Sequence, residues 1–178
     1  MVGAIILEII VFVVTLIFLV SIIWPCFSLA GWVPTLKKDL KRIAKIVDLK
    51  PGQTFCELGA GNGRVSFYIA KKFPKSKVIA IELALPLFII GKIKEVFGFS
   101  NNISFKWRNL FQQDLSKVDV IYIFALPKPL DTKLREKFEK ELKPGSRVVS
   151  YAFKMKSVEP KLVHKPQNQD KSIYVYEF

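Results

Sequence analysis

The chain has one histidine, two cysteines and, before Lys37, neither lysine nor arginine. Each scarcity excludes something. A single histidine, His164, rules out a histidine-built metal centre, and its place in a polar stretch near the C-terminus suits a surface or strand-edge residue better than a catalytic base. Cys26 and Cys56 are too far apart for a redox or metal pair and too few for a disulfide framework; both read as free, small apolar fillers. That usage is consistent with a reducing compartment, and no metal is expected. A cleaved secretory leader would need a positive start and a small-residue cleavage site, and neither is present.

What is present is unevenly distributed. Over 178 residues the net charge is +13 and the mean hydropathy +0.28. The apolar excess lies in the first 33 residues and the cations after them. Val2 to Ile23 is an almost uninterrupted apolar run with Glu8 as its only charge. At about 1.5 Å per residue such a helix covers roughly 33 Å, enough to cross a bilayer core. Trp24 and Trp32 flank Pro25-Cys26-Phe27 as aromatics do at a headgroup boundary. Lys37, Lys38, Lys41, Arg42, Lys45 and Lys50 follow, against only Asp39 and Asp48. The cation asymmetry places the rest of the chain on the cytoplasmic face, or the matrix face in a mitochondrion. Thr35 before an apolar pattern at Leu36, Leu40, Ile43, Ala44 and Val47 predicts an N-capped amphipathic helix. Its basic side is able to lie on anionic lipid. Three segments follow: an anchor over 1–24, a juxtamembrane segment with the basic helix over 25–50, and a catalytic domain over 51–178.

From Gln53 onward strands and helices alternate. Strands are predicted at Thr54–Glu57, Lys77–Glu82, Ile103–Lys106, Val118–Phe124 and Arg147–Tyr151, with helices at Arg64–Phe73, Pro86–Phe97 and Leu130–Leu142. Two last strands, near Lys161–His164 and Ser172–Phe178, form a hairpin. The alternation implies an α/β fold, a mostly parallel sheet covered on both faces.

The stretch Thr54-Phe55-Cys56-Glu57-Leu58-Gly59-Ala60-Gly61-Asn62-Gly63-Arg64 carries the chemistry. A strand breaks into a glycine turn and reopens as a helix. A dinucleotide loop would need glycine at Arg64, and a phosphate loop would need G-K-[ST]; neither pattern is met. E-x-G-x-G-x-G resembles motif I of class I S-adenosylmethionine-dependent methyltransferases, whose fold is Rossmann-like. In such a sheet the ligand sits beyond the strand ends. Glu82, ending the second strand, is positioned to accept from both hydroxyls of a ribose. Asn109 is positioned for an adenine edge, with Leu110 against the ring. After the fourth strand, Ala125-Leu126-Pro127-Lys128-Pro129 lacks the Asn/Asp-Pro-Pro-aromatic element of base-modifying enzymes. Nucleic acid is therefore not the expected partner, and a membrane suffices for the charge.

Several segments together make a more selective resemblance. Trp32-Val33-Pro34-Thr35 after the anchor, Glu57-Leu58-Gly59-Ala60-Gly61-Asn62-Gly63-Arg64, Ile81-Glu82-Leu83, Leu126-Pro127 and Leu142-Lys143-Pro144-Gly145-Ser146-Arg147-Val148-Val149-Ser150 look like the small membrane-anchored protein-lysine methyltransferases that include the ATP synthase c-subunit enzyme. The chain departs from that pattern at Glu57, Asn62 and Asn109, where aspartate is usual. The resemblance implies S-adenosyl-L-methionine held by Thr35, Glu57, Gly59, Ala60, Gly61, Gly63, Glu82, Leu83, Asn109 and Leu110. It implies a seven-stranded sheet and a lysine of a membrane protein as substrate. Leu126, Pro127 and Tyr151 are candidates for lining the amine channel, with Tyr151 equally suited to packing. Methyl transfer is an in-line displacement needing alignment above all, and desolvation favours the neutral lysine, so no dedicated base is required. Two other readings stay open: methylation of a quinone or lipid headgroup, and a membrane-tethered module that binds the cofactor without turnover. Between strands the chain carries little beyond a minimal fold. Substrate recognition then falls to Trp24–Lys50, Pro127–Pro129 and Phe153–Glu159.

Overall fold

The computed structural model describes residues 2–28 and 33–178, with the backbone alone over 21–28. The roles expected of Trp24, Pro25, Cys26, Phe27 and Trp32 therefore lie outside the described side chains. Helix α1 (Val2–Ser28) contains a 19-residue stretch, Val2–Val20, of mean hydropathy 3.0 whose residues are exposed. Length and composition are those of a membrane span.

Past Pro34, a 3₁₀ turn at Lys37–Asp39 leads into α2 (Leu40–Val47). Here the expected cap is corrected. Thr35 makes no side-chain cap; its hydroxyl instead meets the Tyr122 hydroxyl at 2.8 Å in the core. A buried phenol needs a partner more than an exposed helix end does. α2 buries Ile43, Ala44 and Val47, and Arg147 donates to the carbonyl of Val47 at its C-terminus. The helix is thus a piece of the domain core, with Lys41 and Lys45 on its outer side.

The sheet comprises β1 (Thr54–Leu58), β2 (Lys77–Glu82), β3 (Ile103–Trp107), β4 (Val120–Ile123), β5 (Arg147–Tyr151), β6 (Leu162–His164) and β7 (Ile173–Glu177). Its order is β3-β2-β1-β4-β5-β7-β6. The first five strands are parallel, while β7 enters antiparallel between β5 and β6. The Rossmann-like class I methyltransferase sheet and its terminal hairpin are as expected. β4 and β1 are central and covered on both sides; β4 is apolar throughout, and β1 is interrupted only by Thr54 at its start and the functional Glu57. Strand order reverses between β1 and β4, which opens a crevice at their carboxyl ends.

α3 (Arg64–Lys72) and α4 (Leu85–Val96) join α2 on one face, over a core that includes Phe55, Val65, Ile69, Phe105 and Tyr122. The other face is covered by a continuous helical segment. It begins as α5 (Pro127–Pro129), passes through a π turn at Leu130–Leu134 and ends as α6 (Arg135–Glu141), burying Leu130, Leu134 and Phe138. α4 sits unusually close to β3. A Cβ on Gly91 would run into the Phe105 ring, so only glycine permits that approach.

Candidate active site

The glycine turn lies at the carboxyl end of β1, at the switch point. Gly59, Gly61 and Gly63 have φ of 80°, 56° and 79°, a region that L side chains rarely adopt. The flanking glycines serve different needs. A Cβ on Gly59 would meet nothing within 4 Å, whereas one on Gly63 would lie 2.7 Å from the rings of Phe105 and Phe67. Gly63 is a packing glycine; Gly59 faces open space where a ligand backbone can approach. The turn is pinned to β2, for the amides of Gly59 and Ala60 both donate to the Ile81 carbonyl, at 3.0 and 2.8 Å.

Two acids frame the turn. Glu82, 7% exposed, ends β2. Its Oε2 accepts from the Gly61 amide at 2.7 Å, and its Oε1 from the amides of Leu83 (2.8 Å) and Ala84 (2.7 Å). Burial pushes the carboxyl up, and the three amides oppose the shift. Glu57 lies beneath the turn. Its Oε2 accepts from the amide of Ser66 at 2.8 Å and from its hydroxyl at 2.5 Å. Burial drives the Glu57 carboxyl up to about 8, with Ser66 opposing and Glu82 adding repulsion. Glu57 thereby ties β1 to the first turn of α3, whose free amides need an acceptor.

The other predicted residues divide. Asn109 caps the 3₁₀ turn at Leu110–Gln112, its Oδ1 accepting from Phe111 at 3.0 Å, and Leu110 is buried against that face of the sheet. Leu83 is tied to the end of β3, its carbonyl accepting from the Trp107 indole at 2.9 Å. Thr35 reaches the site through its main chain, since Arg64 donates to its carbonyl at 2.7 Å. Leu126 and Pro127 stand where β4 hands over to α5, and Leu126 is exposed. Tyr151 is fully buried, and its hydroxyl donates to Asp39 at 2.6 Å. It packs behind the site. Phe124 and Phe153, with ring centroids 6.0 Å apart and both half-buried, stand nearer the opening at those strand ends. Two surface hollows flank α2, one lined by Arg42, Lys45, Arg147 and His164, the other by Lys41, Tyr68 and Lys72; neither includes the glycine turn.

Sequence reading missed Ser66, Asp39, Arg64, Lys94 and Phe124. Ser66 was within reach, as the third residue of a helix opening after a glycine turn. The rest act across long separations that no local pattern reports. Lys94 is one: from α4 its ammonium donates to the Asn62 carbonyl at 2.9 Å.

Fold and turn define an S-adenosylmethionine-dependent methyltransferase. A glycine cradle open at Gly59, with a buried carboxylate one strand away, fits that cofactor's amino-acid chain and ribose. Residues 57–162 match the ANTKMT methyltransferase domain, and the chain belongs to that family. It is 31% identical over 153 residues, 82% of this chain and 91% of the relative, to a protein-lysine N-methyltransferase of Saccharolobus islandicus. A phosphoethanolamine N-methyltransferase 3 of Arabidopsis thaliana is 28% identical over 116 residues, 61% of this chain but 23% of that protein. Among solved structures, an RNA methyltransferase from Salinibacter ruber in complex with S-adenosyl-L-homocysteine has a TM-score of 0.74 and 26% identity, covering 82% of this chain and 93% of that one. An O-methyltransferase from Thermotoga maritima has a TM-score of 0.65 at 17% identity, covering 82% and 66%, and shares the fold.

Among the described residues no group of side chains is placed to hold a metal ion. Cys56 is buried and free, its thiol pushed up by burial to about 12, which leaves it unreactive.

Proposed function

We propose that the chain methylates a lysine side chain of a membrane-associated protein. Likeness to the archaeal protein-lysine N-methyltransferase over most of both chains carries this reading, and the uncovered apolar α1 supplies the membrane. On this reading the chain divides into an anchor at 1–24, a juxtamembrane segment at 25–50 and a methyltransferase domain at 51–178. With no cation before Lys37 and a cluster after it, the domain stands on the cytoplasmic face, or the matrix face in a mitochondrion.

The cofactor supplies an electrophilic methyl on a sulfonium; the chain's task is to hold and to exclude. Glu82 has one lone pair left on Oε2 beside the Gly61 contact, available to a ribose hydroxyl. Glu57 and Ser66 hold the turn on α3. Phe124, Phe153, Leu126 and Pro127 give the approaching amine an apolar wall, and desolvation there lowers a lysine's pKa from its usual ~10.4 toward the neutral form. No described side chain beyond these is needed for proton transfer.

Incubation of the full chain with native membranes and methyl-labelled cofactor tests the proposal. Label should appear as methyl-lysine after protein hydrolysis. Label in the lipid extract would favour a headgroup or quinone instead, and label in RNA would align the chain with the Salinibacter protein. Binding without label in any fraction would leave a module that senses the cofactor.

A further inference from the structure

We propose that the outward face of α4, together with Trp107, is seated in the headgroup layer of a lipid bilayer. The inference rests on the reading of α1 as a membrane span and adds a second, peripheral contact to it. α4 has the sequence LPLFIIGKIKEV, and Gly91 is its only buried residue. Ile89, Ile90, Ile93 and Val96 recur at helical spacing on one side, and Phe97 and Phe99 continue past its end. All six are between 43% and 76% exposed, and Trp107 of edge strand β3 is 58% exposed. Scattered apolar residues on a surface are ordinary, but a contiguous run of this size marks an interaction site.

Three observations commit the face to lipid. First, α1 approaches α4 and no other helix of the domain as closely, so the uncovered face is continuous with the apolar helix proposed to span. Second, cations border the face. Lys92 stands on α4 beside the stripe, paired with Glu95 at 2.8 Å, and exposed Arg108 follows Trp107 just past β3. Long cationic side chains at the border of an apolar stripe suit anionic headgroups, since their stems can snorkel. Third, Trp107 is oriented rather than loose. Its indole nitrogen donates to the Leu83 carbonyl at 2.9 Å, and its ring stacks near Phe88, centroids 6.3 Å apart. Tryptophan with one polar tie and an open apolar face is the residue found at a membrane interface.

The seat bears on the active site. Leu83 follows Glu82, and Lys94 on the inner side of α4 grips the Asn62 carbonyl of the glycine turn. Bilayer contact along α4 would thus hold the β2–α4 edge of the site at the surface where the amine arrives. Basic α2 lies on the far side of α3 and buries its apolar residues, so it offers lipid only charge.

Trp107 is one of three tryptophans, so the full chain with Trp24→Phe and Trp32→Phe reports it alone. In phosphatidylcholine–phosphatidylglycerol vesicles, lipids brominated near the headgroup end of their chains should remove roughly half of its emission, and iodide should fail to reach it. Adding Ile93→Glu and Phe97→Glu, both at exposed positions, should restore iodide access and abolish bromine quenching. Unquenched, iodide-accessible Trp107 in a chain that resists carbonate extraction overturns the inference while leaving α1 a span. Carbonate release of the chain marks failure of the span reading itself. Shielding from iodide without bromine quenching overturns it in favour of contact between two copies.

Discussion

The amide of Gly61 donates to Oε2 of Glu82 across 2.7 Å, so the turn and the β2 acid form one rigid unit. A carboxylate in place before any ligand arrives spends no free energy on being ordered. Glu82→Gln keeps the size and one acceptor but removes the charge that strengthens every bond Glu82 makes. Hydrogen bonds to a charged group contribute about 1.5–3 kcal/mol, so affinity for S-adenosylmethionine should fall by roughly 10–100-fold. Calorimetry reads this directly. An unchanged Kd would remove Glu82 from the binding site.

The two glycines that differ in surroundings should differ in phenotype. Gly59→Ala places a Cβ in open space at positive φ, costing about 1–2 kcal/mol of stability while blocking the ligand's approach. Gly63→Ala drives a Cβ into Phe105 and Phe67 and should cost more stability than that. Melting curves and cofactor titration on both variants separate the roles. Equal loss of binding at equal Tm would show that the turn acts only as a whole.

Glu57 gives a pH signature. Its carboxyl rises from an ordinary 4.5 to about 8 on burial, so folding takes up a proton between those values. The stability it lends is complete below about pH 4.5 and is lost as pH rises through about 8. Glu57→Gln still accepts from Ser66 and has no proton to lose. Without cofactor, the parent's Tm should decline over that window, against a flatter profile in the variant. Parallel profiles would mean that Glu57 is charged in the fold at neutral pH.

How far the sequence reveals this arrangement depends on the range of each interaction. The glycine turn, Glu82 and the alternation of strands are local patterns, and they stand where they were expected. Thr35 was misassigned because a cap rule sees only the next few residues, whereas Tyr122 is 87 positions away. Tyr151 ends β5 as predicted, but Asp39, from outside the alternating region, claims its hydroxyl. α4 was expected as a helix over Pro86–Phe97, but its open outer face was not legible, since periodicity reports which residues avoid water and not which of them find a partner.

Thr35 and Tyr122 should be energetically coupled. Thr35→Val leaves the buried phenol without its partner, and Tyr122→Phe does the reverse. Each should cost about 1–3 kcal/mol. The double variant removes both polar groups and should cost clearly less than the sum. Denaturant melts give the cycle, and strict additivity would mean that the 2.8 Å contact contributes nothing.

On the proposed reading of α1 as an anchor, anchoring and chemistry should separate cleanly. Leu36 to Val47 is built into the domain, and Arg64 holds the Thr35 carbonyl beside the turn, so little chain remains between α1 and the site. A fully extended chain gains at most about 3.6 Å per residue, and the few residues from the end of α1 to Val33 cannot carry the site far from a bilayer. A substrate sharing that membrane is met at a raised effective concentration. Deleting Met1 to Trp24 should therefore leave the Kd for S-adenosylmethionine unchanged while greatly reducing transfer to native membranes. Soluble lysine-containing peptides should be methylated no worse than by the full chain. If the truncated enzyme labels native membranes as fast as the parent, α1 does not select the substrate.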